Sequence, residues 1–210
     1  MNKILIRSAL IALAIAPVVA IAEGPGDDND RGRETFQSAN MANIANGMPF
    51  TAANGAATLI RSKNELQGRV MLADLNPGHA YTLWWIIFNE PSGCSTHPCT
   101  PGVDFAAGDA AIHYATGVIA ASDGNGGGVA NVSFETRDGA PPIGEFVVPG
   151  LPEMGLKHNH GFKSEVHFLM IDHGVPAAGF PKVPGSWAFE LTHPLPPGTA
   201  DVRGAAFMPR

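Results

Sequence analysis

Residues 81–88 have the sequence YTLWWIIF, and this stretch decides the fold class. Successive side chains of a β-strand point to opposite faces of a sheet, yet apolar and aromatic residues dominate both sets of positions here. A strand that is covered on both faces has this composition, as in a sandwich whose outer surface is overlaid by loops. Turn signals bound the strand, with Asn76-Pro77-Gly78 before it and Asn89-Glu90-Pro91 after it.

Further segments of strand character lie on both sides of this central strand, and Gly- and Pro-rich turns separate them. No amphipathic pattern predicts a helix of more than about two turns. The sequence therefore predicts an all-β fold, a single antiparallel β-sandwich of immunoglobulin-like or superoxide dismutase-like architecture with Gly/Pro-rich loops. The remaining predicted strands are residues 57–61, 65–72, 111–121, 129–136, 145–148, 165–172 and 187–192.

The glycine-rich segment 122–128 lies between two of these strands and is the strongest local hairpin signal. A glycine-rich loop can also cradle phosphate, but that function requires a helix directly after the loop. Residues 129–134 have strand composition instead, so we expect a plain hairpin turn.

The first 22 residues have the three parts of a secretory signal peptide. Lys3 and Arg7 supply positive charge, an apolar run covers residues 9–16, and Ala20-Ile21-Ala22 places small residues at the cleavage site. The apolar segment is shorter than the roughly 20 residues that span a bilayer. We expect the protein to be exported to the periplasm or the extracellular medium, and the mature protein to have no transmembrane segment.

The organisation that follows has three parts. Residues 1–22 are the signal peptide, residues 23–50 a flexible or irregular leader, and residues 51–210 one β-sandwich domain. The chain has 13 basic and 19 acidic residues, and loss of Lys3 and Arg7 with the signal leaves 11 basic residues against the same 19. This acidity argues against nucleic acid as a partner, because such binding needs a basic patch.

The partner is predicted to be an unknown ligand or a component of the cell envelope.

Cys94 and Cys99 are the only two cysteines, and four residues separate them. In an oxidising compartment a close pair of this kind is most simply a disulfide that fixes one loop. The alternative is a thiolate metal site formed by Cys94, His97 and Cys99.

Two stretches of the chain resemble a group of secreted bacterial β-sandwich proteins to which no activity is assigned. In that group a PGxAYTLWW strand runs into an FNxPxxC loop, as residues 77–85 and 88–94 do here. Residues 165–174 resemble the same group's penultimate region. The resemblance implies the fold and no activity.

A looser resemblance is to Cu/Zn superoxide dismutase-like and chordin-repeat sandwiches, which share the order of an early strand and an LxPGxxYT turn and strand. The dismutase metal site needs a His-x-His pair directly after that turn, whereas residues 83–86 are Leu-Trp-Trp-Ile. The resemblance therefore implies architecture and not dismutase activity.

Histidines are concentrated between residues 158 and 173, where they could bind copper or zinc. On the strand 165–172, Glu165 and His167 lie on the same face, so the carboxylate can orient the imidazole for a metal or for proton transfer. The simpler interpretation is that His167 is a core histidine held by Glu165 and that the others lie in exposed loops. The candidate metal ligands are His158, His160, His167 and His173.

No nucleophile elbow, zinc-protease helix or P-loop accompanies these residues. The sequence therefore favours a non-enzymatic binding or structural module of the cell envelope, without deciding that it is no enzyme. The alternative is a periplasmic copper- or zinc-binding protein that uses histidines of residues 158–173. A weaker alternative is a carbohydrate-binding module that stacks sugars on Trp84, Trp85 and Trp187.

Overall fold

A computed structural model describes residues 34–43, 55–139, 155–175 and 202–210. Over these residues the chain forms ten strands, which pair into two antiparallel sheets. In chain order the strands are β1 (Thr35–Asn40), β2 (Ala42–Asn43), β3 (Gly55–Arg61), β4 (Glu65–Leu75), β5 (Ala80–Phe88), β6 (Ala110–Ile119), β7 (Ala121–Ser122), β8 (Gly128–Arg137), β9 (Glu165–Asp172) and β10 (Val202–Phe207).

The two sheets, here named A and B, pack face to face as a β-sandwich. Sheet A has the strand order β1-β3-β4-β8-β7, and sheet B has the order β2-β10-β9-β5-β6. Strands β4 and β8 alternate buried and exposed side chains along most of their length, so the outer face of sheet A meets solvent. All nine residues of β5 are buried. The predicted fold class, and the prediction that residues 81–88 are covered on both faces, are therefore confirmed.

The main core lies between the sheets and is centred on Trp85. Its ring lies 4.8 Å from that of Phe134 on sheet A and 5.0 Å from that of Phe168 on sheet B, in edge-to-face geometry. Gly68 on β4 allows this packing, because a Cβ there would come within 2.5 Å of Phe134 and 2.8 Å of Phe168. A side chain at residue 68 would therefore separate the sheets.

A second, smaller cluster covers the outer face of sheet B. Ile86 and Phe88 point away from the main core and pack with Cys99 and Ala110. The covering segment is residues 89–109, named here the disulfide loop, which leaves β5 and returns as β6. Because this loop covers the outer face of sheet B, β5 is apolar on both faces. The corresponding outer face of sheet A has no such cover among the described residues and meets solvent.

Two boundaries differ from the sequence expectation. Residues 34–43 belong to the expected leader, yet β1 pairs with β3 over six residues, so the sheet begins before residue 51. Of the predicted hairpin, only Ala121 and Ser122 pair with β8 across the glycine-rich turn. The longer part of the predicted strand, β6, pairs with β5 in the opposite sheet, so the chain crosses between sheets at Ala120. Alternation within each half could not reveal this crossing, because both halves have strand character.

The other predicted strands that fall on described residues match β3, β4, β5, β8 and β9 to within a few residues. The predicted signal peptide, residues 1–22, and the predicted strands 145–148 and 187–192 lie outside the described residues. Within the described parts of the chain, no helix has the length and apolar character needed to cross a membrane.

Candidate functional site

Within the disulfide loop, Cys94 and Cys99 form a disulfide bond, as the sequence predicts. The buried carboxylate of Asp104 holds the loop from inside, accepting bonds from the backbone N–H of Ser95 at 2.9 Å and of Thr100 at 2.7 Å. Burial acts to raise the pKa of Asp104, but the hydrogen bonds from Ser95, Thr100 and Thr96 outweigh it and lower the pKa to about 2. The ionised carboxylate is thus a structural element of the loop.

Asn89 joins the start of this loop to the segment 155–164. Its side-chain amide donates to the carbonyl oxygens of Asp109 and Gly155, and its oxygen accepts the backbone N–H of Lys157 at 2.9 Å. The Lys157 ammonium pairs with the Asp109 carboxylate across the same junction, and this hydrogen bond raises the pKa of Lys157. Two loops distant in sequence are thereby held as one surface.

Arg61 fixes a third segment to these two. Its fully buried guanidinium donates to the carbonyl oxygens of Gly161 and Ser164 and to those of Phe207 and Met208, at 2.8–3.1 Å. Burial lowers the pKa of Arg61 to about 9, as does repulsion by Arg210, whereas the nearby Glu165 acts to raise it. The chain after β10 therefore lies beside segment 155–164.

A cleft of about 530 Å³ opens between the three segments, and we name it the loop cleft. Its charged side chains are the cations Lys163 and Arg210 and the anion Glu90. Among the described residues, neither Lys163 nor Arg210 has a carboxylate within 4.0 Å. The lining residues are Asn89, Glu90, Pro91, Ser92, His97, His160, Lys163, Met208, Pro209 and Arg210.

Next to the cleft, the predicted contact between Glu165 and His167 is present and buried. His167 Nε2 lies 2.5 Å from Glu165 Oε1, which also accepts the backbone N–H of Cys99 at 2.6 Å. Glu165 is 0% exposed and His167 is 2% exposed. Glu165 Oε2 and His167 Nδ1 have no hydrogen-bond partner among the described residues, which is unusual for buried polar atoms.

The four histidines proposed as metal ligands occupy separate environments. His158 is exposed and bonded to Asp138, and His160 lies in the loop cleft with Nε2 3.3 Å from Glu90. His167 belongs to the buried pair described above. His173 contacts the Thr82 hydroxyl at 2.8 Å, at the opposite end of β9. A strand of eight residues spans about 25 Å, so His173 is remote from the other three.

A different group of potential ligands comes together in the described parts of the chain. Donor atoms of His97, Cys99 and Glu165 all lie within 4.8 Å of one another. The sequence associates His97 with the two cysteines and Glu165 with His167, but it gives no reason to associate His97 with Glu165. Alternation along a strand predicts which residues of that strand share a face. It does not predict how a loop crosses the sheet, and the proximity of His97 to Glu165 depends on that crossing.

Two other polar residues were not singled out from the sequence. Arg61 is buried at the end of β3. A charged residue at the end of a strand is usually exposed, so the sequence did not predict that other segments bury Arg61. His79 lies in the turn before β5 and pairs with Asp172 at 3.0 Å. The sequence signal for this pair was weak, because the two residues are 93 positions apart.

Trp84 and Trp85, two of the three tryptophans considered as a sugar platform, are 6% and 0% exposed. Neither indole presents a face to solvent, so a stacking surface would have to be built without them. Trp187 lies outside the described residues.

The chain matches no protein-family model, no curated protein and no solved structure. The fold and the geometry of the loop cleft therefore carry the functional argument.

Proposed function

We propose that the protein is an exported, non-catalytic β-sandwich module that binds a small anionic ligand in the loop cleft. The observation that carries this proposal is the placement of Lys163 and Arg210 in one concave site, without carboxylate partners among the described residues. The whole chain has a formal net charge of −6, whereas the charged side chains of the cleft, Lys163 and Arg210 against Glu90, carry a net positive charge. Such a local reversal of charge favours a ligand that carries carboxylate, sulfate or phosphate groups.

The histidines of the cleft support the same ligand class. His160 Nδ1 lies 2.8 Å from the carbonyl oxygen of His158, which can only accept, so this nitrogen carries hydrogen. Nε2 faces Glu90 and the cleft, where it donates to a carboxylate or another anion only when the ring is protonated. His97 also lines the cleft, is exposed and can add a donor. The site thus combines fixed positive charge with orientable hydrogen-bonding groups, as small-ligand sites do.

The rigidity of the walls is the second support. Asn89, Arg61 and Asp104 each tie backbone segments of the cleft together through buried hydrogen bonds. A preformed cleft avoids most of the entropic cost of ordering loops when a ligand binds. Export is supported by the disulfide, since such bonds persist in oxidising compartments.

Calorimetric titration of the purified protein with sulfate, phosphate, citrate and galacturonate tests the proposal. We expect at least one of these anions to bind, and the Lys163→Gln/Arg210→Gln double variant to bind it at least about tenfold more weakly, because each charge-assisted bond contributes about 1.5–3 kcal/mol. The control is Arg69→Gln/Arg137→Gln, which removes the same charge from exposed positions of sheet A. Equal weakening in both double variants would indicate a diffuse charge effect and would exclude the loop cleft as the binding site.

A further inference from the structure

A group of potential metal ligands lies where the disulfide loop crosses the start of β9. The potential ligands are His97, Cys99 and Glu165, whose donor atoms all lie within 4.8 Å of one another. Cys99 and Glu165 are fully buried, whereas His97 is exposed. While Cys99 is bonded to Cys94, its sulfur cannot act as a thiolate ligand.

Glu165 supplies independent support for a missing ligand. Within the part of the chain that the structure describes, its buried Oε2 atom has no hydrogen-bond partner, and neither has His167 Nδ1 on the other side of the same pair. Leaving a buried carboxylate oxygen unpartnered is costly, and an ion that binds there would remove the cost. His167 already holds Oε1 at 2.5 Å, in the way that outer hydrogen bonds orient metal-binding carboxylates.

We propose that reduction of the Cys94–Cys99 disulfide creates a zinc site from Cys99, His97 and Glu165. The proposal does not rest on anion binding in the loop cleft. The three residues supply one thiolate, one imidazole and one carboxylate, a donor set suited to zinc. Zinc takes four ligands, so one coordination position remains for water. His97 also lines the loop cleft.

The chemistry requires a dithiol reductant, and the exposure of the two sulfur atoms determines its course. Cys94 is half-buried, so an incoming thiolate attacks Cys94 Sγ and forms a mixed disulfide there. The S–S bond breaks, and Cys99 leaves as the thiolate, beside Glu165. The second thiol of the reductant then displaces Cys94, so that two electrons pass to the protein and the reductant becomes a disulfide.

The loop is held in place by bonds that reduction does not break. The backbone N–H of Cys99 donates to Glu165 at 2.6 Å, and Asp104 retains its bonds to Ser95 and Thr100. Ligands of a tetrahedral zinc ion lie about 3.3–3.8 Å apart, given metal–ligand distances of 2.0–2.3 Å. The three donor atoms, which lie within 4.8 Å of one another, therefore need to approach one another by no more than about 1.5 Å to complete the site.

Two matched variants test this proposal, because Cys94→Ser and Cys99→Ser lose the same disulfide but only the first retains the proposed ligand. We expect Cys94→Ser to bind Zn²⁺ at least about 100-fold more tightly than Cys99→Ser, since thiolate ligation contributes much of the affinity of such sites. With Co²⁺, only Cys94→Ser should show thiolate-to-cobalt charge-transfer absorption. Adding His97→Ala or Glu165→Gln to Cys94→Ser should weaken binding. Equal affinity in the two serine variants would overturn the proposal.

The unsubstituted protein gives a second measurement that does not depend on either serine variant folding. After reduction and removal of the reductant, Zn²⁺ should protect Cys99 from alkylation while Cys94 is modified, as read by mass spectrometry of the peptides. The oxidised protein should bind Zn²⁺ no better than Cys99→Ser does. Alkylation of both cysteines at rates that Zn²⁺ does not change would rule out the site.

Discussion

The two ends of sheet B each carry a carboxylate and a histidine in contact, but the surroundings differ. At the Asp172 end, where β9 finishes, Asp172 accepts bonds from Asn76, His79 and the backbone of Gly174 at 2.7–3.1 Å. At the disulfide end, where β9 begins, Glu165 accepts hydrogen bonds only at Oε1, and both its second oxygen and His167 Nδ1 lack partners in residues 34–43, 55–139, 155–175 and 202–210. Both carboxylates are buried.

The two carboxylates differ in how many of their oxygen atoms accept hydrogen bonds, and this difference distinguishes a purely structural carboxylate from one that could bind a ligand. Burial acts to raise the pKa of Asp172, yet the bonds from Gly174, Asn76 and His79 keep it below its ordinary value. This carboxylate is fully used in closing the turn before β5. At the disulfide end, one oxygen of Glu165 has no hydrogen-bond partner among the described residues, and the adjacent cleft contains two cations with no described carboxylate within 4.0 Å, which supports the binding site we propose.

The largest expected effect comes from removing the residue that organises the disulfide end. Arg61→Met leaves four carbonyl oxygens without their donor and leaves the buried Glu165 without a nearby cation. We expect a loss of about 3–5 kcal/mol in the free energy of unfolding, measured by urea denaturation. Arg69→Met is the control, because Arg69 is exposed on β4 and should change stability by no more than about 0.5 kcal/mol. A cost for Arg61→Met as small as that of the control would mean that the guanidinium does not hold the cleft together.

A histidine between the two ends provides the next test. His113 on β6 is buried opposite Trp85, and no described residue makes a hydrogen bond to either ring nitrogen. Burial lowers the pKa of His113 to about 4. The unfolded chain, with a histidine pKa near 6.5, takes up the proton first as the pH falls. The protein should therefore lose about 3 kcal/mol of stability through this residue between about pH 6.5 and pH 4.

His113→Leu should remove that loss of stability. The free energy of unfolding of the variant minus that of the unsubstituted protein should therefore rise from its value at pH 7 by about 2 kcal/mol at pH 5 and by about 3 kcal/mol at pH 4. Urea unfolding at the three pH values measures it. Tyr114→Phe is the control, since it changes the neighbouring side chain and keeps the imidazole. Parallel pH profiles for His113→Leu and the unsubstituted protein would contradict a buried, unpartnered histidine.

The disulfide loop offers a test of intermediate size. The pKa of Asp104 is about 2, below its unfolded value, so its ionised form stabilises the protein above about pH 4 and this contribution is lost as the pH falls toward 2. Asp104→Asn should cost about 2 kcal/mol at pH 7, and the difference should close over that acidic range. Thermal or urea unfolding at pH 7, 4 and 2 is the measurement. Glu135→Gln, at an exposed position of β8, should show neither effect.

Much of the fold could be predicted from the sequence, because alternation and turn residues act locally. The pattern of residues 81–88 gave a doubly covered strand, and Glu165–Asp172 was placed to the residue. The crossing at Ala120 could not be predicted, since the same strand character serves either sheet. The contact between Glu165 and His167 followed from the period of two residues along a strand.

The candidate site could be predicted from the sequence only in small part. The loop cleft joins Glu90, His160 and Arg210, and only the tertiary fold brings together residues so far apart in sequence. His97 was noted for its place between the cysteines, but its approach to Glu165 depends on how the disulfide loop lies over β9. Burial of Arg61 depends in the same way on carbonyl groups about 100 and 146 residues away along the chain.

The smallest expected effect compares the two ends directly by exchanging each carboxylate for its amide. In Asp172→Asn one oxygen becomes an NH₂ group that faces the donors Asn76, His79 or Gly174, so we expect a loss of about 1–3 kcal/mol at pH 7. In Glu165→Gln the amide oxygen can accept from both Cys99 and His167, and the NH₂ group replaces an oxygen that had no partner.

The cost of Glu165→Gln should accordingly be smaller than that of Asp172→Asn by at least about 1 kcal/mol, measured by urea unfolding of both variants at pH 7. The Asp172→Asn deficit should also shrink as the pH falls below about 4, because the lowered pKa of Asp172 contributes stability only above its unfolded value. A larger cost at Glu165 would show that its charge, opposite the buried Arg61, contributes more than its hydrogen bonds do. The disulfide end would then be stabilised by electrostatics, and the free oxygen of Glu165 would no longer mark a vacant binding position.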